Sequence, residues 1–190
     1  MTVIKRIVAF LLLILFVGFL GAFLFGYMPY WFGQESYRTD YSELVEKYSE
    51  EFGIDKAFVF AVIKTESNFD PSAVSDAGAI GLMQIIEDSF DWVSSKLGED
   101  ELTYDDMFTP EYSIMYGCYM LAFLYDRYGS YELAAAAYHS GIGEVDSWIE
   151  DGIVSLDNPD IADFEGSNTR HYVRKIIKAY DKYTEILAKG

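Results

Sequence analysis

The sequence predicts an all-α fold, a single multi-helix globular domain preceded by one N-terminal transmembrane helix. Three observations carry this reading. Its 190 residues contain no repeat, no low-complexity tract and no run of alternating β-branched residues, and that length suits one domain with something added. From Tyr41 onward apolar residues recur at helical spacing between glycine punctuation marks, the pattern of consecutive amphipathic helices. Ile7–Gly26 holds neither charge nor proline, and about 20 such residues cross a bilayer as a helix.

Residues 1–6 contain Lys5 and Arg6, and no further Lys or Arg occurs before Arg38. The positive-inside bias therefore places residues 1–6 in the cytoplasm, residues 7–28 in the membrane as an anchor, and the rest on the outer side. Tyr27, Tyr30, Trp31 and Phe32 read as an interfacial aromatic belt. A cleaved signal peptide normally has an apolar core of only ~7–15 residues ending in a small-x-small site. Gly18 to Ala22 offers a poor version of that site, so an uncleaved anchor is the preferred reading. No Cys lies nearby to carry a lipid. Residues 29–40 form a linker and residues 41–190 the extracytoplasmic domain.

Within the domain, Tyr41–Phe52 is an amphipathic segment closed by Gly53, and Asp55 offers an N-cap for a helix running to about Ser67. Asp70-Pro71 breaks the chain, and a loop with Gly78 and Gly81 leads into a third helical segment. Asp88–Leu97 follows, stopped by Gly98. Glu111–Tyr128 is apolar nearly all round and predicts a central helix with protein on most sides. Glu132–His139 is alanine-rich, Glu144–Glu150 is short, Gly152 to Ser167 is a loop, and Thr169–Ala188 is a closing helix.

The formal net charge is −17, and the segment after the anchor is more acidic still because Lys5 and Arg6 are the only charges before it. That argues against nucleic acid and against an electrostatic grip on anionic lipid. A polymer bound by this chain is recognised by shape and hydrogen bonds. Cys118 is the only cysteine, and His139 and His171 the only histidines. No intramolecular disulfide and no zinc site of ordinary ligand spacing follows from that set, and no metal or cofactor is expected.

One charge stands out. Val59, Val62, Ile63 and Glu66 fall at i, i+3, i+4 and i+7, so Glu66 shares a helical stripe with three core side chains. It also sits near the helix C-terminus, where the dipole end is negative. Both effects raise a carboxyl pKa, and a carboxyl protonated near neutrality suits general acid catalysis of glycoside cleavage. On pattern alone, a Glu whose tip reaches water is the commoner arrangement.

Four separated stretches, ESNFDPSAVSDAGAIGLMQI, DMFTPEYSIMYGCYML, AYHSGIGEVDSWI and TRHYVRKI, together resemble the Slt-type lytic transglycosylases. The resemblance runs from about Tyr41 to about Tyr183 and implies a lysozyme-like α-helical domain that cleaves peptidoglycan. It implies that Glu66 is the single acid/base. In that family the acid protonates the glycosidic oxygen between N-acetylmuramic acid and N-acetylglucosamine. It then accepts the proton of the muramoyl C6 hydroxyl as that hydroxyl attacks C1, leaving a 1,6-anhydro end. Ser67, Ser75, Gln84, Tyr138, His139 and Tyr172 match family positions around the glycan, with Tyr172 near the catalytic glutamate. Three positions depart from the family pattern: His139 stands where Asn is usual, Ser140 where Ala is usual, and Asn168 where Glu is usual, after what looks like a short insertion, EGS.

The expectation is a membrane-anchored peptidoglycan lytic transglycosylase on the outer face of a cytoplasmic membrane, with glycan strands as its partner. The alternatives are a lysozyme-like muramidase and a non-catalytic peptidoglycan-binding scaffold, either one able to serve a secretion or conjugation apparatus.

Overall fold

The computed structural model describes residues 2–26, 37–164 and 167–189. The chain forms two units, Met1–Ser36 and Tyr37–Gly190. In the first, helix α1 (Thr2–Gly26) covers the uncharged segment. Its described side chains, Lys5, Val8 and residues 12–23, are exposed apart from the partly covered Gly21. Among the described residues, no helix is long and apolar enough to cross a membrane. The aromatic belt (Tyr27, Tyr30, Trp31, Phe32), the linker up to residue 36, and Glu165-Gly166 of the insertion lie outside the described residues.

The second unit is helical. It contains α2 (Ser42–Phe52), α3 (Lys56–Glu66), α4 (Glu87–Leu97), a 3₁₀ turn (Tyr104–Phe108), α5 (Pro110–Tyr128), α6 (Tyr131–Ser140), α7 (Ile142–Glu150) and α8 (Ser167–Leu187). Two of the helices begin where a side chain satisfies a free backbone N–H group. Asp55 Oδ1 accepts from Ala57 N at 2.7 Å and starts α3. Ser130 Oγ accepts from Leu133 N at 3.3 Å and starts α6. Pro110 occupies the first turn of α5, where its missing N–H costs nothing. The 3₁₀ turn is an addition to the expected elements. A reciprocal capping box nucleates it, with Thr103 N donating to Asp106 Oδ2 at 2.8 Å.

Helix α3 is the axis of the domain. Every residue from Ala57 to Ile63 is buried, a wider covering than the single stripe expected. Helix α8 packs chiefly on α3 and also on α6, while α5 packs on α2 and α6. The alanines of α6, Ala134 to Ala137, are buried and permit close approach. Helix α5 has protein on most sides. Ile114, Tyr116, Cys118, Leu121 and Leu124 are buried, but Phe123 is 36% exposed. Its exposed face turns toward a groove described below.

The segment between α3 and α4 differs from expectation more clearly. No helix follows Gly81; Ile80 instead forms antiparallel bridges with Val74 and Ile85. Gln84 takes a left-handed conformation, φ 50°. The cause is local crowding: Gly81, at φ 77°, lies so close to the 3₁₀ turn that a Cβ there would sit 2.0 Å from the carbonyl oxygen of Met107. A helix cannot start from that geometry, and only glycine fits it.

Gly81→Ala is therefore expected to lower stability by about 3 kcal/mol or more, through positive-φ strain combined with a backbone clash. Urea denaturation followed by tryptophan fluorescence measures this. An unchanged midpoint would show that the turn relaxes freely.

Candidate active site

Glu66 is the last residue of α3, so its position is set by a helix held on all sides. The next residue fastens that end. Ser67 Oγ donates to the carbonyl of Leu82 at 2.8 Å, tying the helix to the Gly81–Gln84 turn. Tyr172 reaches Glu66 from α8, and its Oη donates to Glu66 Oε1 at 2.5 Å across 106 residues of sequence.

Two opposing effects set the titration of Glu66. Burial disfavours the charged form, and the Tyr172 hydrogen bond favours it; the result is a pKa raised from 4.5 to about 7. Burial and the neighbouring carboxylate push the Tyr172 phenol well above its ordinary range, so it remains a neutral donor. Its ring stacks on His139, with centroids 4.4 Å apart and planes within 14°. Burial lowers the pKa of His139, favouring the neutral imidazole.

These groups line a pocket of about 340 Å³ with Thr65, Asn168, His171 and Lys175. Glu66 is the one carboxylate among the described residues lining it. On its other side His139 also borders a groove of about 410 Å³, whose wall includes Ile86, Trp92, Met120, Phe123, Tyr138 and Ile142. Trp92 and Phe123 meet edge-on at 4.9 Å and supply flat apolar surface, the kind on which sugar rings stack.

The residues expected at the site divide into two groups. Glu66, His139 and Tyr172 share the pocket, and Tyr138 lines the neighbouring groove. The Tyr138 Oη donates to the Met83 carbonyl at 2.7 Å. Ser67, Ser75 and Gln84 line neither cavity and bond to backbone. Ser75 Oγ accepts from Ala79 N at 3.0 Å. Gln84 Nε2 donates to the carbonyls of Ala73 and Gly81 at 3.2 and 3.0 Å. Sequence reasoning did not select Thr65, His171 and Lys175 as site residues. The signal was available: Asn168, His171 and Lys175 lie at i, i+3 and i+7 around Tyr172, on one face of α8.

Arg170 is positioned differently, donating through Nη2 to the Phe164 carbonyl at 2.9 Å. Ser140 Oγ and Thr169 Oγ1, 2.7 Å apart, link the end of α6 to the start of α8. That link fixes the stacked pair of His139 and Tyr172 from both sides.

An all-α, lysozyme-like domain with one half-buried acid in its cleft is the class that this fold and site define. The chain belongs to the Transglycosylase SLT domain family, which matches residues 43–153. It is similar to the soluble lytic murein transglycosylase of Salmonella typhimurium, 29% identical over 155 residues covering 79% of this chain and 24% of that protein. It is also similar to the membrane-bound lytic murein transglycosylase C of Serratia proteamaculans, 31% identical over 168 residues covering 75% and 46%. Among solved structures, the 70 kDa soluble lytic transglycosylase of Escherichia coli matches with a TM-score of 0.71 and 26% identity, over 80% of this chain and 25% of that one. The chain thus spans about a quarter of the length of the soluble relatives it matches.

The raised pKa fixes a sign for stability. The native state holds the Glu66 proton more tightly than the unfolded chain does, so the residue costs nothing below pH ~4.5. Its cost grows as pH rises and levels off above about 7. The full cost is on the order of 3 kcal/mol. Glu66→Gln is expected to melt higher than the native protein at pH 8, with the difference closing toward pH 4. Calorimetric melting across that range measures it, and a gap that does not vary with pH counts against the shift.

Proposed function

We propose that this chain is a peptidoglycan lytic transglycosylase that cleaves the β-1,4 bond between N-acetylmuramic acid and N-acetylglucosamine. The observation that carries this reading is the Glu66–Tyr172 pair, a single carboxyl titrating near neutrality in a pocket with no second carboxylate among its described lining residues. Hydrolases of the common kinds use two carboxylates, the second activating water or attacking the sugar. A lone acid suffices when the substrate supplies its own nucleophile.

In the proposed reaction, protonated Glu66 gives its proton to the bridging oxygen as the C1–O bond breaks. The muramoyl C6 hydroxyl then attacks C1, and its proton returns to Glu66. The acid is regenerated, a 1,6-anhydro ring forms and no water is consumed. Tyr172 holds the carboxyl rotamer, and His139 presents an imidazole edge between pocket and groove. Ser67, Ser75, Gln84 and Tyr138 act one step back, by fixing the turn that the glycan crosses.

We further propose that α1 anchors the domain to the outer face of a cytoplasmic membrane. Supporting this are the uncharged stretch Ile7–Gly26, the helical backbone over Thr2–Gly26 and the exposed apolar side chains of Leu12, Leu15, Phe16 and Phe19.

The full chain in detergent, incubated with purified peptidoglycan, is expected to release muropeptides with anhydro-muramoyl ends, read by mass spectrometry. Reducing ends would instead mean that water takes the place of the C6 hydroxyl. Glu66→Gln should slow release by roughly 10²–10⁴-fold; full activity in that variant removes Glu66 from the mechanism. Because the first step needs the protonated acid, the native rate should fall as pH rises through about 7. Tyr172→Phe deletes a bond that lowers the Glu66 pKa. It should therefore move the alkaline limb to higher pH while reducing the maximum rate roughly tenfold, about 1.4 kcal/mol of lost positioning. A limb that stays put separates Tyr172 from the acid.

A further inference from the structure

The charge on this molecule is unevenly spread. The chain carries 31 acidic residues against 14 basic ones, yet Arg170, Arg174, Lys175, Lys178, Lys182 and Lys189 all lie in or just beyond α8. Two basic side chains of that helix, His171 and Lys175, line the Glu66 pocket. They stand at i and i+4, one turn apart on the same face. Both are exposed. No hydrogen bond or ion pair engages either of them among the described residues, although surface lysines elsewhere are paired, Lys47 with Glu111 and Lys56 with Glu46, each at 3.0 Å. The third member of the stripe, Asn168, is neutral where the resemblance leads one to expect a glutamate. The pocket thus has one carboxyl on its α3 side, its pKa raised by burial, and, among the described residues, an unpaired basic rim on its α8 side.

We propose that His171 and Lys175 form a carboxylate-binding rim that selects substrates with an anionic group on the muramoyl residue beside the scissile bond. This deepens the glycan-cleaving reading and rests on it. N-acetylglucosamine is uncharged, whereas N-acetylmuramic acid carries a lactyl ether at C3 that ends in a carboxylate. In a peptide-bearing strand that carboxylate is amidated, and the attached peptide supplies carboxylates further out. Either source offers the same chemistry, an oxygen pair accepting from an ammonium or an imidazole N–H. In a strongly acidic protein an anionic strand is repelled over most of the surface. The α8 rim is then the edge where the approach is favourable, so it sets the orientation as well as the affinity of the bound strand.

Three probes test this by calorimetric titration of the full chain in detergent micelles. They are the GlcNAc–MurNAc disaccharide, the same disaccharide bearing a tetrapeptide, and chitobiose, which has no carboxylate. At least one carboxylate-bearing probe is expected to bind about fivefold or more tightly than chitobiose. That advantage should shrink at about 0.5 M salt, vanish or reverse in Lys175→Glu, and return in Lys175→Arg. An advantage for the plain disaccharide assigns the rim to the lactyl carboxylate; one confined to the tetrapeptide probe assigns it to the peptide. Equal affinity for all three probes, or a Lys175→Glu protein that keeps the advantage, overturns the proposal. Neither disaccharide contains the scissile linkage, so binding is read apart from cleavage. A chain that shows the advantage but leaves peptidoglycan uncut defeats the lytic reading and retains the rim. One that cuts peptidoglycan but binds the probes alike does the reverse.

Discussion

The structure depends on keeping one carboxyl out of water without giving it a cation. Helix α3 accomplishes the first part, because a segment buried from Ala57 to Ile63 draws its C-terminal residue into a half-buried position at the pocket. Tyr172 accomplishes the second. A lysine or arginine at hydrogen-bond distance would hold Glu66 ionised. A phenol fixes the rotamer while adding no charge, so burial remains the larger influence and the pKa settles at about 7. An acid tuned in this way loses and regains a proton with little driving force in either direction, as a group serving both halves of one reaction requires.

The irregular segment between α3 and α4 shows how the surroundings hold that arrangement. An irregular backbone inside a domain must find partners for its N–H and C=O groups, and here side chains from four directions supply them. Ser67 Oγ binds the carbonyl of Leu82, Tyr138 Oη that of Met83, and Gln84 Nε2 those of Ala73 and Gly81. Ser113 Oγ accepts from Met83 N at 3.2 Å, and Tyr104 Oη lies 2.7 and 2.8 Å from the carbonyls of Gly78 and Ile85. The turn is stitched to α3, α5, α6 and the 3₁₀ segment, so its surface is already shaped.

Much of this could be read from the residues alone. The helices lie where Asp55, Pro110 and Gly129 mark starts and stops, since caps act locally and leave a local trace. The 3₁₀ turn (Tyr104–Phe108) left the same kind of trace, the Thr103/Asp106 capping box, in a segment too short to show periodicity. Residues 82–86 misled because their apolar run fits a helix, while the obstacle, the carbonyl of Met107 against Gly81, belongs to a distant segment. Glu66 stood out as a charge on an apolar stripe, and Tyr172 came with the motif around it. Motifs preserve residue types but not the direction of their polar atoms, so the backbone hydrogen bonds of Ser67, Ser75 and Gln84 are visible only in the fold. Lys175 and His171 went unnoticed because charges on an exposed helix face are common, and only the pocket distinguishes them.

The separation of the acid from its tyrosine has one more implication. Glu66 and Tyr172 are 106 residues apart, so the helix bearing the second of them leaves the ribosome well after the first. Until α8 docks, the carboxyl lacks both its hydrogen-bond donor and much of its shelter, and it ionises as an ordinary glutamate does. A chain in which α8 has not yet docked therefore carries the acid but not the means of raising its pKa, so the tuned site arises only with that late packing step.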